Sequence, residues 1–197
     1  PIAPVHDVAS GMYHTLPDFQ RSQVWNPIID IDMKKDTKVT DEYRIAGNVY
    51  GDWTFLKDFN FRASFFADYG FNQNREYSPL VSVYNPELEN GIDELARETS
   101  ITQSQNMYTK LQSDFTLTYK KQLGYHGLTL TGGFTTYYNA FSEVSGGRKQ
   151  YENTPIPNEL KYWYLSIGDP SEATNGSGQW ETTTASLLFR ALYNYKG

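Results

Sequence analysis

The stretch YRIAGNVYGDWTF at residues 43–55, followed by LKD at 56–58 and FNFRASFFADYGF at 59–71, decides the fold of this chain. In both segments the side chains alternate along the backbone, so that one face is mainly apolar and the other mainly polar. Alternation with a period of two is typical of a β-strand with one wet face. Because the link between the segments is so short, we predict a tight turn and an antiparallel hairpin.

The same alternation predicts three more strands, at about 106–121, at about 128–141, and from about 180 to the end of the sequence. Across the predicted strands, most of the charged side chains fall in the polar register, where a water-filled interior would solvate them. The polar residues that we expect to face such an interior are Arg44, Asn48, Asp52, Arg62, Asp68, Lys110, Asp114 and Arg190.

Short and long connections alternate between these strands. The links at 56–58 and 124–127 are tight, whereas 74–105 and 142–179 are rich in Pro, Asn, Gly, Ser and Glu. Only 86–98 has helical spacing, and we expect one or two helical turns there. Loops beyond ~12–15 residues are rare in soluble domains, while outer-membrane barrels combine short periplasmic turns with long extracellular loops.

The composition excludes several classes of protein. The chain has 197 residues, no cysteine and a formal net charge of −6. A disulfide framework and a thiolate zinc site are therefore excluded, and a nucleic-acid partner is not expected from an acidic chain. No stretch approaches the ~18–20 consecutive apolar residues of a membrane helix, but the strands of a membrane barrel also lack such a stretch because they alternate.

Strand length favours a membrane barrel over a soluble sheet. Soluble strands average ~5–6 residues, whereas a tilted membrane strand needs ~9–11, and all five predicted strands reach that length. Aromatic residues such as Trp53, Phe59 and Tyr125 flank the tight turns, as they do at a membrane–water interface. A soluble β-rich binding module, whose strands also have one wet face, is the alternative.

The order of the segments resembles that of the SusC/RagA-like TonB-dependent transporters of Bacteroidota outer membranes. The resemblance begins with the proline-containing stretch at 1–7 and the pair Asn26-Pro27, and it is strongest in the hairpin at 43–62. That hairpin contains the elements Arg44-x-x-Gly47-Asn48, Leu56-Lys57 and Phe61-Arg62.

The resemblance implies import of nutrients, either oligosaccharides or peptides, across the outer membrane. It implies outer-membrane lipid around the strands, a SusD-like surface lipoprotein as partner, and TonB acting through a plug domain that this stretch of sequence lacks. It implies no enzymatic activity and no cofactor. The fold class we expect is all-β: a segment of a large antiparallel transmembrane β-barrel.

The resemblance implies a barrel of about twenty-two strands, of which about five to six are expected here. Because a membrane barrel must close, we expect the chain to be one segment of a longer polypeptide. With the tight turns periplasmic, 43–55 descends and 59–71 ascends. The expected organisation is an extracellular loop and the approach to the first strand at 1–40, hairpins at 43–71 and 106–141, extracellular loops at 72–105 and 142–179, and a strand at 180–197.

Few residues are candidates for chemistry, and we predict no catalytic, cofactor or metal site. The three histidines are scattered along the sequence. Asp30 and Asp32 alternate with apolar residues, which would suit a paired-carboxylate site, but the pattern favours a polar strand face that enters a loop.

One aromatic cluster in the second long loop is a candidate contact for cargo or partner. Tyr162, Trp163 and Tyr164 are consecutive, and exposed rings of this kind stack on sugars or fill protein interfaces. The alternative is that these rings pack within the loop.

Overall fold

The structure is a computed structural model and describes residues 5–15 and 27–196. The described elements are α1 (Pro27–Lys34), β1 (Lys38–Phe55), β2 (Phe59–Ser78), β3 (Val81–Tyr84), β4 (Ile92–Ala96), β5 (Glu98–Leu123), β6 (His126–Tyr151) and β7 (Thr174–Tyr195), with short 3-10 helices at Leu160–Tyr162, Leu165–Ile167 and Pro170–Glu172. Among these residues, no helix is both long enough and apolar enough to cross a membrane.

Five long strands form one sheet in the order β1-β2-β5-β6-β7, and β3 pairs with β4 in a separate antiparallel sheet. The all-β class and the five long antiparallel strands are therefore confirmed. β1 joins β2 through the turn at 56–58, where Leu56 and Lys57 have φ values of 46° and 58°. Positive φ at two successive turn residues is typical of tight hairpins, because it matches the twist of the strands.

The strands extend further than the alternation predicts. β5 begins at Glu98, β6 continues to Tyr151, and β7 begins at Thr174, so much of the two predicted long loops is strand. These extensions are rich in Thr, Ser, Gln and Gly. Since they lack alternating apolar residues, hydrophobic periodicity does not detect them.

The helical turns predicted at 86–98 are wrong. β4 occupies Ile92–Ala96 and pairs with β3, with Tyr84 opposite Ile92. Gly91, just before β4, has a φ of +68°, a conformation that glycine adopts without steric cost.

The strand predicted around Asp30 and Asp32 is also wrong, because this segment is the helix α1. Ile29 is buried against Val81 and Val83, and Lys34 forms an ion pair of 2.8 Å with Asp30 one helical turn before it. Alternating apolar residues over only five positions fit a strand and a short amphipathic helix equally well.

The chain forms two compact units. The loop unit consists of the described parts of Pro1–Asp41 together with Gln73–Gln105 and Val144–Gly176. It has two buried apolar clusters, one of Tyr77, Ile101, Ile156 and Trp163, and one of Ile29, Val81 and Val83.

The strand unit consists of Glu42–Asn72, Asn106–Glu143 and the described part of Ser177–Gly197. No large apolar side chain among its described residues is buried. Among the residues of this unit that the structure describes, the one fully buried large side chain is that of Asp68. Exposed apolar residues include Ile45, Val49, Trp53, Phe65, Met107, Leu187, Phe189 and Tyr193.

Candidate functional site on the polar face of the sheet

The polar face of the strand unit is centred on a bidentate ion pair between neighbouring strands. Arg44 on β1 donates from Nε to Oδ1 of Asp68 on β2 and from Nη2 to Oδ2, both at 2.8 Å. Asp68 is 1% exposed. Two parallel charge-assisted hydrogen bonds offset the desolvation of this carboxylate, which would be costly without a partner.

Tyr108 on β5 lies beside this pair, in a space left open by a glycine. A Cβ at Gly70 on β2 would lie 1.9 Å from Cζ of Tyr108, so the absence of a side chain at position 70 is what admits the ring. The Tyr108 hydroxyl donates to Oε1 of Glu42 at 3.1 Å, and Nζ of Lys110 lies 5.9 Å from the ring centroid.

A second carboxylate on this face is held entirely by neutral donors. Asp114 on β5 accepts from Thr135 Oγ1 at 2.8 Å, from Gln112 Nε2 at 3.0 Å and from Ser64 Oγ at 3.3 Å. These donors lie on β6, β5 and β2, and the group therefore connects three neighbouring strands.

Nearer the β1–β2 turn the contacts are looser. Arg62 lies 3.9 Å from Asp52, and both side chains are about half exposed. The Arg62 guanidinium also lies 4.4 Å from the centroid of the Tyr50 ring. Of the remaining predicted polar-face residues, Asn48 and Arg190 are exposed.

The structure adds two aromatic residues that the sequence reasoning did not single out. The rings of Phe141 on β6 and Trp180 on β7 stack at 6.1 Å between centroids, with 22° between their planes. Phe141 shares the register of Thr135 and thus the face of Asp114. The sequence alone could have placed Trp180 on the polar face, because it occupies the same even-numbered register as the polar residues of β7.

The opposite face of the strand unit carries aromatic side chains that touch across strands. Phe115 contacts Phe61 and Phe65 with centroid distances of 6.4 and 5.6 Å, and Phe59 lies 4.8 Å from Tyr119. These contacts hold neighbouring strands together. They leave much of the apolar surface exposed.

The three aromatic candidates in the loop unit have different environments. Trp163 is 2% exposed, and its ring stacks on Tyr77 at 5.5 Å with 9° between the planes. For Trp163 the packed alternative therefore holds in place of an exposed contact, because Tyr77, a residue 86 positions earlier in the sequence, covers its ring. Tyr164 is exposed and Tyr162 is half-buried, so a contact of these two with cargo or partner stays a prediction.

Tyr77 anchors this cluster by a hydrogen bond as well as by packing. Its hydroxyl donates to the carbonyl oxygen of Ile156 at 2.9 Å, and burial raises the pKa of the hydroxyl. The backbone carbonyl of Trp163 accepts from Nε2 of Gln103 at 2.9 Å. Both contacts join the segment around 156–163 to long strands.

The two carboxylates of α1 do not act together. Asp30 pairs with Lys34, whereas Asp32 accepts a hydrogen bond from the Tyr13 hydroxyl. Residues two apart on a helix do not face one another, so the paired-carboxylate arrangement is not formed. The histidines each pack against a tyrosine ring: His6 on Tyr13, His14 on Tyr84 and His126 on Tyr193.

A cavity of about 760 Å³ in the loop unit is lined by charged residues that pair with one another. Lys149 lies 2.8 Å from Glu98, and Arg97 lies 3.5 Å from Glu152. The hydrogen bond from Glu98 raises the pKa of Lys149. Since each cation already has a carboxylate partner, the cavity presents little unpaired charge to a ligand.

Three solved structures share the fold of this chain. A RagAB peptide transporter matches over 97% of this chain and 18% of its own, with a TM-score of 0.68 and 13% identity. The RagAB peptide importer in its open-open state matches over 97% of this chain and 18% of its own, with a TM-score of 0.62 and 15% identity. The closed-closed state matches over 81% of this chain and 16% of its own, with a TM-score of 0.60 and 16% identity.

The chain thus spans less than a fifth of the chains that it resembles. Neither a protein-family model nor a curated protein matches the sequence. The likeness is one of fold: an all-β segment of a barrel protein.

Proposed function

We propose that this chain is part of the barrel wall of a SusC/RagA-like, TonB-dependent importer in a bacterial outer membrane. The observation that carries the proposal is the strand unit, which has large apolar side chains exposed on one face and paired charges on the other. A soluble sheet of this kind would bury its apolar face against a second layer. Lipid would cover that face in a membrane barrel.

The proposal gives each part of the chain a role. The apolar face contacts outer-membrane lipid, and the face of Arg44, Asp68 and Asp114 lines the interior. The tight turns are periplasmic, and the connections at the other strand ends are extracellular, where they meet the cargo and a SusD-like lipoprotein. TonB would act on a plug domain of the same transporter, and the cargo is an oligosaccharide or a peptide.

Fractionation of the full-length gene product tests the location. We expect it in the outer-membrane fraction of a sucrose gradient, with a band that shifts on SDS gels only after boiling, as folded barrels do. Recovery of the protein in the aqueous fraction after lysis would refute the proposal.

Single-cysteine labelling tests which face meets lipid, and the described stretch has no cysteine to interfere. In a cysteine-free full-length background, Leu187→Cys on the apolar face should resist a charged maleimide in intact membranes and react after denaturation. Asn48→Cys, in the polar register of β1 and also exposed, is the matched control and should react in membranes that admit the reagent. Equal labelling of the two positions would contradict the assignment of the faces.

Energy coupling tests the mechanism of transport. Uptake by cells that produce the full-length protein should stop when the proton-motive force is collapsed or when TonB is deleted. Binding of cargo at the cell surface should persist under both conditions. Uptake that continues without TonB would contradict the transporter class while leaving the barrel fold unaffected.

A further inference from the structure

Four aromatic rings and one lysine lie together where β6 begins and β7 ends. This turn-end cluster consists of Tyr125, His126, Tyr193, Tyr195 and Lys196. The His126 ring lies 5.0 Å from that of Tyr195 and 5.9 Å from that of Tyr193, and the ring of Tyr125 lies 6.5 Å from that of Tyr195. The backbone N–H of Lys196 donates to the carbonyl oxygen of Tyr125 at 2.9 Å. All five side chains are exposed, so the cluster is a surface on which a ligand can rest.

The cluster continues the apolar face of the strand unit. His126 shares the register of Leu128 on β6, and Tyr195 shares that of Leu187 and Phe189 on β7. Leu187 and Phe189 are 86% and 74% exposed. Phe189 lies six residues from Tyr195, which is about 20 Å along a strand and about 14 Å of depth at a tilt of ~45°. Exposed apolar side chains therefore extend from the cluster over about the ~15 Å of hydrocarbon in one leaflet.

Lys196 brings a positive charge to this face that no carboxylate neutralises. It follows the last residue of β7 and has a φ of 56°, so it leaves the alternation of the strand. Its Nζ lies 5.3 Å from the ring centroid of Tyr195 and 5.7 Å from that of Tyr125. Ring faces attract an ammonium group but carry no net charge. Within residues 5–15 and 27–196, no carboxylate forms an ion pair with Lys196, and its charge is available to an anion.

His126 adds a second donor beside the same tyrosine ring. Its Nδ1 lies 2.6 Å from the hydroxyl oxygen of Tyr193, while Nε2 has no hydrogen-bond partner in the part of the chain that the structure describes. When the hydroxyl donates to Nδ1, the neutral imidazole carries its proton on Nε2 and can donate from there. Phosphate oxygens accept such a bond and also attract the ammonium of Lys196.

Basic residues outnumber acidic ones at this end of the strand unit. Within 53–61, 117–129 and 189–196 the sequence has the basic residues Lys57, Lys120, Lys121, Arg190 and Lys196. The acidic residue of these three stretches, Asp58, pairs with Lys121. Lys57 lies in the turn, and Lys120 and Arg190 fall in the polar register. Because the whole chain has a net charge of −6, this excess of positive charge is local to the turn end.

We propose that the turn-end cluster binds the phosphate of an anionic phospholipid in the periplasmic leaflet, through Lys196 and Nε2 of His126. Leu187 and Phe189 contact its acyl chains. Unpaired basic residues at a membrane surface attract anionic headgroups, and tyrosine rings suit the boundary between lipid and water. An acidic protein would match the charge but would leave the adjoining apolar face uncovered. The inference rests on the proposed position of the chain in an outer membrane and adds a defined lipid site to it.

Native mass spectrometry of the full-length protein tests the site, because it resolves each bound lipid molecule by its mass. The protein is purified from outer membranes and freed of lipid in tetraethylene glycol monooctyl ether. The probes are dioleoylphosphatidylglycerol, dioleoylglycerol, which has the same chains without phosphate, and glycerophosphoglycerol, which has the same headgroup without chains. We expect saturable binding of dioleoylphosphatidylglycerol, at least roughly tenfold tighter than binding of either other probe.

Four variants assign the binding to the cluster. Lys196→Gln removes the charge and should weaken binding of dioleoylphosphatidylglycerol roughly fivefold or more, whereas Lys196→Arg keeps the charge and should retain it. His126→Phe keeps a ring without the donor and should also weaken binding. Lys57→Gln is the matched control, because Lys57 is an exposed lysine of the same end outside the cluster, and it should lose at most about twofold. The boiling-dependent gel shift confirms that each variant is folded before it is measured.

Several results would overturn the inference. Equal binding of dioleoylglycerol would show that the phosphate is not recognised, and equal binding of glycerophosphoglycerol would indicate a site for a soluble phosphate instead of a lipid. Unchanged affinity in Lys196→Gln, or an equal loss in Lys57→Gln, would contradict the assignment to the cluster. Failure of the proposed function is a separate outcome, since it is read from the aqueous fraction before any lipid is added. A protein located in the outer membrane without a preference for dioleoylphosphatidylglycerol would refute only the lipid site.

Discussion

The ring of Tyr108 occupies the space where a side chain at Gly70 would lie, with Cζ 1.9 Å from the position of the missing Cβ. The glycine and the tyrosine belong to neighbouring strands of the sheet, so neither can change size independently of the other. This relationship places an aromatic ring beside the ion pair that Arg44 forms with the buried carboxylate of Asp68.

We therefore expect Gly70→Ala to destabilise the folded protein. The added methyl group must displace the Tyr108 ring, and overpacking of this kind costs about 1–3 kcal/mol. The measurement is the urea midpoint of the boiling-dependent gel shift. Gly132→Ala is the matched control, because a Cβ at that position of β6 meets no atom within 4 Å; equal effects of the two substitutions would contradict the role given to Gly70.

Removal of Arg44 should destabilise the protein more than removal of Arg62. Arg44→Ala leaves the buried carboxylate of Asp68 without its bidentate partner, whereas Arg62 lies 3.9 Å from a carboxylate that is already 43% exposed. The double variant Arg44→Ala/Asp68→Ala should be more stable than Arg44→Ala alone, since it removes the uncompensated charge. Urea midpoints that rank the double variant lowest would refute this explanation.

Substitutions in the aromatic cluster of the loop unit should destabilise the protein to different degrees. Trp163→Ala should cost about 3–5 kcal/mol, as is usual for a buried large aromatic side chain. Tyr77→Phe, which loses only the hydrogen bond to Ile156, should cost about 0.5–1.5 kcal/mol. Limited proteolysis in the segment 152–173 measures local opening, and Tyr164→Ala serves as the exposed control. Similar proteolysis rates for Trp163→Ala and Tyr164→Ala would contradict the packing.

The segment that begins at Asp169 should lose stability in acid. Its carboxylate accepts hydrogen bonds from the Ser171 hydroxyl at 2.7 Å and from the Ser171 backbone N–H at 2.8 Å, and these bonds lower the pKa of Asp169. Because the folded pKa lies below the unfolded value, the stabilisation is complete above the unfolded pKa of ~3.9 and is lost as the pH falls through the folded pKa.

Amide hydrogen exchange of Ser171 and Glu172 between about pH 5 and pH 3 measures this loss. The exchange rates are corrected for the intrinsic effect of pH on exchange. Asp169→Asn should flatten the remaining dependence on pH in this segment. A profile unchanged by the substitution would show that another group is responsible.

Alternation alone predicts that Arg44, Asp68 and Asp114 share the polar register, and in the structure Arg44 bonds to Asp68 on β2 while Ser64, also on β2, bonds to Asp114. A period of two determines the face of a residue without any knowledge of which strands pair. It could not predict that Asp68 is buried and Arg62 is not. That difference depends on the neighbour across each pair of strands, which the local sequence does not specify.

The errors have different physical causes. Trp163 was a candidate for an exposed ring because its partners, Tyr77 and Ile156, lie outside its immediate sequence. The sequence predicts a strand where the structure has α1, because five alternating residues are too few to separate the two periods. The sequence predicts loops at the outer parts of β5 and β6, because strands with polar residues on both faces lack the apolar half of the pattern.

The absence of buried apolar side chains from the described strand unit has a consequence for how its sequence can change over time. In a packed core, exchanging leucine for valine or phenylalanine opens a cavity or forces neighbours apart. On an exposed apolar face the same exchange opens no cavity and displaces no neighbour. A side chain at such a position must therefore stay apolar, but its size and shape can change. Two chains can then keep these strands while sharing few identical residues, and the constrained positions are those such as Gly70 and Asp68, where one side chain depends on another.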